Sequence, residues 1–224
     1  LSMASPKRPW VSGAIYHITN RGNRQEIIFK ESIDYIVYLG ILKETLQFYR
    51  EDNYKLISYC LMSNHVHLLL KTGTKDPSFF MRRVNSIYAR YFNDKYQYIG
   101  HLFQGRYFSN LINNVIELLE VSRYIHLNPV RAKIVDSPEK YIWSSYNKIV
   151  LDKNEFEDLN LNSRKVMLDM CIDENEILDL FNIYSIIEEN NKKNLEYKVK
   201  NIMEESKIKY KKYVESKVLE EKKQ

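Results

Sequence analysis

The sequence predicts an α+β fold in which helices pack against an antiparallel sheet. Two observations carry the prediction. Short β-rich runs alternate with long stretches of helical periodicity, and two of those runs, 54–62 and 65–71, are separated by only Ser63 and Asn64, the spacing of a hairpin. Taken in order, residues 13–19 (Gly-Ala-Ile-Tyr-His-Ile-Thr) read as a strand ending in the turn-like Asn20-Arg21-Gly22-Asn23. Residues 33–50 place Tyr35, Tyr38, Leu39, Leu42, Leu46 and Tyr49 at helical spacing, about five turns. The hairpin follows. Residues 77–95 are again helical, with Phe80, Val84, Ile87, Tyr88 and Tyr91 on one side and Arg82, Arg83 and Arg90 distributed around it. After Gly100, residues 106–112 form a further strand, and 114–127 a helix that Asn128-Pro129 should stop.

The chain has 224 residues, 44% of them hydrophobic, enough for one ordinary domain with an appendage. We divide it into an N-terminal arm (1–12), a principal domain (13–150) and a helical extension (151–224) whose composition shifts toward Lys, Glu and Asn. The net charge of +5 is uneven: residues 1–150 hold 20 Lys and Arg against 12 Asp and Glu, whereas 151–224 hold 14 against 17. A polyanion-binding surface therefore belongs to the first two-thirds, and nucleic acid is a plausible partner. Cys60 and Cys171 fit no metal spacing and cannot staple a secreted scaffold, which points to a reducing cytoplasm. No apolar run approaches the roughly 20 residues of a membrane span, so no membrane partner is expected.

The sharpest short motif is His65-Val66-His67. On a strand both imidazoles point to one face, where they form half of a divalent-metal site if other ligands arrive from elsewhere. A chance pair on a half-exposed strand is the competing reading. The apolar flank Leu68-Leu69-Leu70 argues against it by placing the pair in a buried, central strand. On the helix 114–127, Glu117, Val121, Tyr124 and Asn128 fall within about 60° of one another, away from the stripe of Val115, Leu118, Leu119, Ser122 and Ile125. Tyr124 and Asn128 suit a nucleophile beside a metal ligand, although their spacing alone favours a flank-covering tyrosine and a helix-capping asparagine. His126 lies about 160° from Tyr124 on the core side, and His17 is read as structural. His101 is left open.

Four blocks together resemble the single-tyrosine transposases that carry a histidine–hydrophobic–histidine (HUH) signature. They are Tyr59–Leu69 around the histidine pair, His101–Tyr107, Arg123–Ala132 around Tyr124, and Trp143-Ser144-Ser145-Tyr146. The closest subgroup is the REP-associated tyrosine transposases and related insertion-sequence enzymes, over residues 10–150. Ser63 stands where many relatives have Pro, and Phe103 where many have Trp.

The resemblance implies a ferredoxin-like or RRM-like core. It implies a metal-dependent single-stranded DNA endonuclease and strand transferase acting on hairpin-containing DNA through a covalent 5′-phosphotyrosine. Tyr124 would be the nucleophile; His65, His67 and Asn128 would hold Mg²⁺ or Mn²⁺, Asn128 at a position where some relatives have Gln. Contacts to single-stranded or hairpin DNA would come from Arg21, Arg24, Lys71, Arg82, Arg83, Arg90, Arg106 and Arg131. Family members act as monomers or homodimers. The alternatives are an inactive hairpin-binding protein and an HUH replication initiator; a relaxase is disfavoured because its tyrosine precedes the histidines. Residues 151–224 could bind DNA, dimerise or cover the active site.

Overall fold

The computed structural model describes residues 10–150 and 207–218. The first nine residues of the arm and the rest of the extension lie outside the described residues. Strand β1 (Ile15–Arg21) leads through a tight turn to helix α1 (Ser32–Phe48). The hairpin β2 (Lys55–Met62) and β3 (His65–Lys71) follows, then α2 (Pro77–Tyr96), β4 (Phe108–Leu111), α3 (Val115–Arg131) and the short α4 (Tyr146–Val150). Helix α5 spans 207–218. The sheet is antiparallel throughout, in the order β2-β3-β1-β4, the ferredoxin-like arrangement expected.

Side-chain alternation divides the core in two. Tyr16 and Ile18 of β1 with Val66, Leu68 and Leu70 of β3 meet α1 and α2 on one face of the sheet. Cys60, Met62 and Leu69 meet α3, α4 and α5 on the other. A bulge between Leu56 and Ser58 lets β2 serve both: Leu56, Tyr59 and Leu61 join the first cluster, Ile57, Cys60 and Met62 the second. The outer edge of β2 is covered by residues 143–145, which exchange backbone hydrogen bonds with Leu61 (2.9 Å) and Tyr59 (3.0 Å). Most tyrosines are framework. Tyr54, Tyr88 and Tyr141 are buried, and their hydroxyls donate to the carbonyls of Asp76, Ile28 and Leu61.

The observed elements match the expected order, with one correction: α3 does not stop at Asn128 but runs through Pro129 to Arg131. Proline removes the N–H that would have paired with the Ile125 carbonyl. The Asn128 side chain compensates, its Nδ2 donating to the carbonyls of Tyr124 (2.9 Å) and Ile125 (3.5 Å). The helix ends two residues beyond Pro129, at Arg131. There the Ile134 N–H reaches the Pro129 carbonyl and the Lys133 N–H that of Val130, with Lys133 in the left-handed conformation (φ 57°). No helix among the described residues is long and apolar enough to cross a membrane.

Asp34 ties α1 to α2. Its fully buried carboxylate accepts from Lys95 Nζ (2.7 Å), Tyr96 OH (2.7 Å), Tyr91 OH (2.8 Å) and the backbone N–H groups of Lys30 and Glu31. Burial alone would raise its pKa, but these donors, Lys95 foremost, hold it at about 2. The unfolded value is about 3.9, so the stabilisation is present above pH 4 and is lost as pH falls through the folded value. We expect Asp34→Asn to cost about 2 kcal/mol in urea unfolding at pH 7, with the gap to the parent protein closing between about pH 4 and pH 2.

Candidate active site

The histidines sit where strand register puts them. Thr19 pairs with His67 across β1 and β3, and Arg21 with His65, so positions 17, 19, 21, 65 and 67 share the face of the sheet that α3 crosses. The rings of His65 and His67 lie 4.9 Å apart, centroid to centroid, nearly perpendicular. Helix α3 brings Tyr124 over them: its ring meets His67 edge-on at 5.7 Å and His17 at 6.2 Å. The Arg131 guanidinium stands 5.1 Å from the Tyr124 ring centroid. Tyr124 remains 41% exposed, open to an approaching substrate.

His17 corrects the sequence reading. It contacts one member of the histidine pair, with its Nε2 3.0 Å from His67 Nδ1 and its ring stacked on that of His67 at 5.2 Å. Thr19 Oγ1 lies 3.2 Å from the same nitrogen. The signal lay in parity, because His17 is the diagonal neighbour of His67 once β1 is known to lie beside β3. His126 is on the core side of α3, as the helical wheel indicates, and is fully buried. His101 is exposed in the loop before β4.

The donor set suits a divalent ion. Burial lowers the His65 pKa to about 4, reinforced by the Arg21 charge. Burial, with the neighbouring His65, His17 and Arg21, lowers that of His67 to about 2. Both rings are therefore neutral at physiological pH, the form that ligates metal. Each has Nδ1 engaged, His65 with Asn64 Oδ1 (2.6 Å) and His67 with His17 and Thr19, so Nε2 of each is the ring nitrogen that could meet an ion. Asn128 spends its amide nitrogen on its own helix, leaving Oδ1 as an acceptor one turn from Tyr124. Among the described residues no group of three or more His, Cys, Asp or Glu side chains has metal-holding geometry. Two imidazoles and an amide oxygen would thus leave coordination positions for substrate oxygens.

The cations divide into groups. Arg21, exposed at the end of β1, influences both histidines, and Lys71 lies on the same face of β3. The turn holding Arg24 is tied to the 102–104 loop by Asn23 N–H to Leu102 O (2.8 Å) and Gln104 N–H to Arg21 O (2.9 Å). Gly22 is required there, since a Cβ would lie 2.2 Å from the Glu26 carbonyl. The structure does not bring Arg82, Arg83 and Arg90 to the histidines, because α2 packs on the opposite face of the sheet. Arg83 is half-buried over the Phe48 ring at 4.0 Å. Arg82 and Arg106 instead line a groove of about 520 Å³ shared with Trp10, Phe79 and Tyr107.

A ferredoxin-like sheet presenting neutral imidazoles beneath a helix-borne phenol, with cations around it, suits a divalent ion and a phosphate. Residues 10–128, more than half of the chain, match the family described as IS200-like transposases, and the chain belongs to that family. It is therefore an enzyme of the transposase class. A REP-associated tyrosine transposase of Haemophilus influenzae is 24% identical over 166 residues, covering 66% of this chain and 88% of that protein. The solved structure of a REP-associated tyrosine transposase bound to a REP hairpin superposes with a TM-score of 0.53 at 17% identity, covering 66% of this chain and 86% of that one.

Proposed function

We propose that this transposase is a metal-dependent single-stranded DNA endonuclease and strand transferase that uses Tyr124 as its nucleophile on hairpin-containing DNA. The observation that carries the reading is the 5.7 Å approach of the Tyr124 ring to His67 within one chain, with His17, Asn128 and Arg131 around them. The reading takes the tyrosine and the histidine pair from one chain, a monomer working in cis, with a homodimer as the alternative. Hairpin DNA is favoured by the solved neighbour, which is bound to a REP hairpin. The reading also places the protein in the cytoplasm, at the nucleoid when bound to DNA.

The Tyr124 oxygen attacks the scissile phosphorus, the bond to the 3′ oxygen breaks, and the products are a 5′-phosphotyrosine and a free 3′-hydroxyl. A 3′-hydroxyl attacking that phosphotyrosine reverses the step and joins strands without ATP. An ordinary phenol titrates near pH 10 and is a weak nucleophile at neutrality, so the reaction needs help. A Mg²⁺ or Mn²⁺ ion held by His65, His67 and Asn128 would supply it by polarising the phosphate and offsetting charge on the leaving oxygen. His17 and Thr19 hold the His67 ring, and Asn64 the His65 ring, so that the ligating nitrogens are fixed before substrate arrives. Arg21, Arg24, Lys71 and Arg131 neutralise phosphates near the scissile bond. Arg82 and Arg106, with Trp10, Phe79 and Tyr107, suit an unpaired stretch of the strand; Arg90 and Arg83 extend the basic surface along α2.

The direct test is incubation with labelled single-stranded hairpin DNA and Mn²⁺. A covalent adduct that EDTA abolishes is expected; tight binding with no adduct under any metal would instead mark an inactive hairpin-binding protein. Binding should also weaken at least about tenfold between 50 and 200 mM salt, since even three phosphate contacts on single strands give a slope near −2. A flat response in a fluorescence-anisotropy titration would remove the basic surface from the account.

A further inference from the structure

We propose that α5 is a brace for the tyrosine helix, and that Tyr210 is the positioning residue through which it holds α3, and with it Tyr124, opposite the histidines. The inference rests on the role given to Tyr124 above and concerns a helix beyond the residues 10–128 that match the family.

Helix α5 buries Tyr210, Val214 and Val218, one turn apart, in the cluster between the sheet and α3. The Tyr210 hydroxyl bonds to two α3 side chains, Ser122 Oγ and His126 Nδ1 (2.9 Å). These residues bracket Tyr124, two positions before it and two after. The chain of bonds continues from His126 Nε2 to Ser145 Oγ (2.9 Å), and from there to the backbone N–H and carbonyl of Tyr59 on β2. One consistent set of donors satisfies every member: Ser122 donates to Tyr210, Tyr210 to His126 Nδ1, His126 Nε2 to Ser145, and Ser145 to the Tyr59 carbonyl. The imidazole accepts at Nδ1 and donates at Nε2 within a completely buried site. Tyr59 is next to Cys60, which pairs with His67 across the hairpin. The network therefore links the back of the nucleophile's helix to the strand beside the metal-binding histidine.

A second set of contacts fixes the same stretch of α3 at the surface. Tyr213 OH donates to Glu120 Oε1 (2.8 Å), and the Arg123 guanidinium lies 4.3 Å from the Tyr213 ring centroid. Tyr146 OH donates to Glu215 Oε1 (3.0 Å), anchoring α5 to α4. Four α3 residues between 120 and 126 are thus held by two α5 tyrosines, Ser122 and His126 on the side opposite Tyr124 and Glu120 and Arg123 along the helix flank. A buried polar network satisfied at every member fixes one position of the parts it joins, where apolar packing alone would tolerate sliding. A displacement of about 1 Å at a reacting group is enough to slow chemistry about 100-fold.

The test uses the full-length chain and the Tyr210→Phe variant, which keeps the ring in place and removes only the hydroxyl. Hydrogen exchange followed by mass spectrometry on the DNA-free protein should show faster exchange in peptides from 115–131 and not in those from β1–β3. Single-turnover cleavage at saturating hairpin DNA should slow about 10- to 100-fold while the dissociation constant for DNA stays within about twofold. Tyr213→Phe, at the surface, should move both readouts in the same direction but less. Exchange in 115–131 unchanged in both variants would overturn the brace, as would a rise spread evenly over the whole domain. Faster α3 exchange with an undiminished cleavage rate would overturn the positioning role. If the parent protein forms no adduct at all, the role of Tyr124 fails while the exchange result still decides whether α5 holds α3.

Discussion

Tyr124→Phe is expected to reduce strand cleavage by about 10⁴-fold or more and to eliminate the covalent adduct, while leaving affinity for hairpin DNA within about twofold. The size follows from the proposed chemistry: without the phenolic oxygen the proposed nucleophile is gone, and among the described residues no other tyrosine ring contacts that of His67. The specificity follows from the packing. Phenylalanine keeps the edge-on contacts with His67 and His17 and the Arg131 guanidinium over the ring. Because position 124 is 41% exposed, the fold should change in stability by no more than about 0.5 kcal/mol. Quenched cleavage assays and anisotropy titrations on the two proteins separate these effects.

His67→Ala is expected to weaken Mn²⁺ binding by at least about 100-fold and to bring cleavage to background. His67 is 5% exposed, and its removal takes a proposed ligand and also leaves His17 Nε2 and Thr19 Oγ1 without the nitrogen they hold. His17→Gln, which removes the brace on the ring and not the ligand, should cost about 10- to 100-fold in metal affinity. Calorimetric titration with Mn²⁺ measures both directly. Thermal melts with Mn²⁺ or EDTA provide a second readout independent of catalysis, because an ion that binds only the folded state raises Tm by an amount that grows with the logarithm of its affinity. Equal Mn²⁺ affinity in the parent protein and His67→Ala would take the metal site away from this face of the sheet.

The fold was largely legible because its signals are local. The two-residue gap at Ser63-Asn64 and the three leucines after His67 place β3 inside the sheet, and periodicity places α1 and α2 within one or two residues of their observed ends. What escaped was non-local or compensated. Pro129 reads as a stop, and only the folded helix shows the Asn128 amide taking over the lost donor. His17 looks structural until strand order sets it diagonal to His67. The arginines of α2 share the chain's basic excess with Arg21 and Arg131, yet the sheet stands between them and the histidines. The Tyr210 contact joins residues 84 and 88 apart in the chain, a pairing that no short motif encodes. Of the candidate site, the pair His65 and His67 and the turn-apart Tyr124 and Asn128 were readable because strand and helix periods alone fix which side chains share a face.

The central claim is that a phosphodiester is transferred to Tyr124, and the measurement closest to it is mapping the adduct. The full-length protein is incubated with single-stranded hairpin DNA and Mn²⁺, digested with nuclease and trypsin, and examined by tandem mass spectrometry. The account predicts a nucleotide attached through its 5′-phosphate to Tyr124 and a released strand ending in a 3′-hydroxyl. A nucleotide on any other residue, or cleaved DNA with both new ends free of protein, would contradict it.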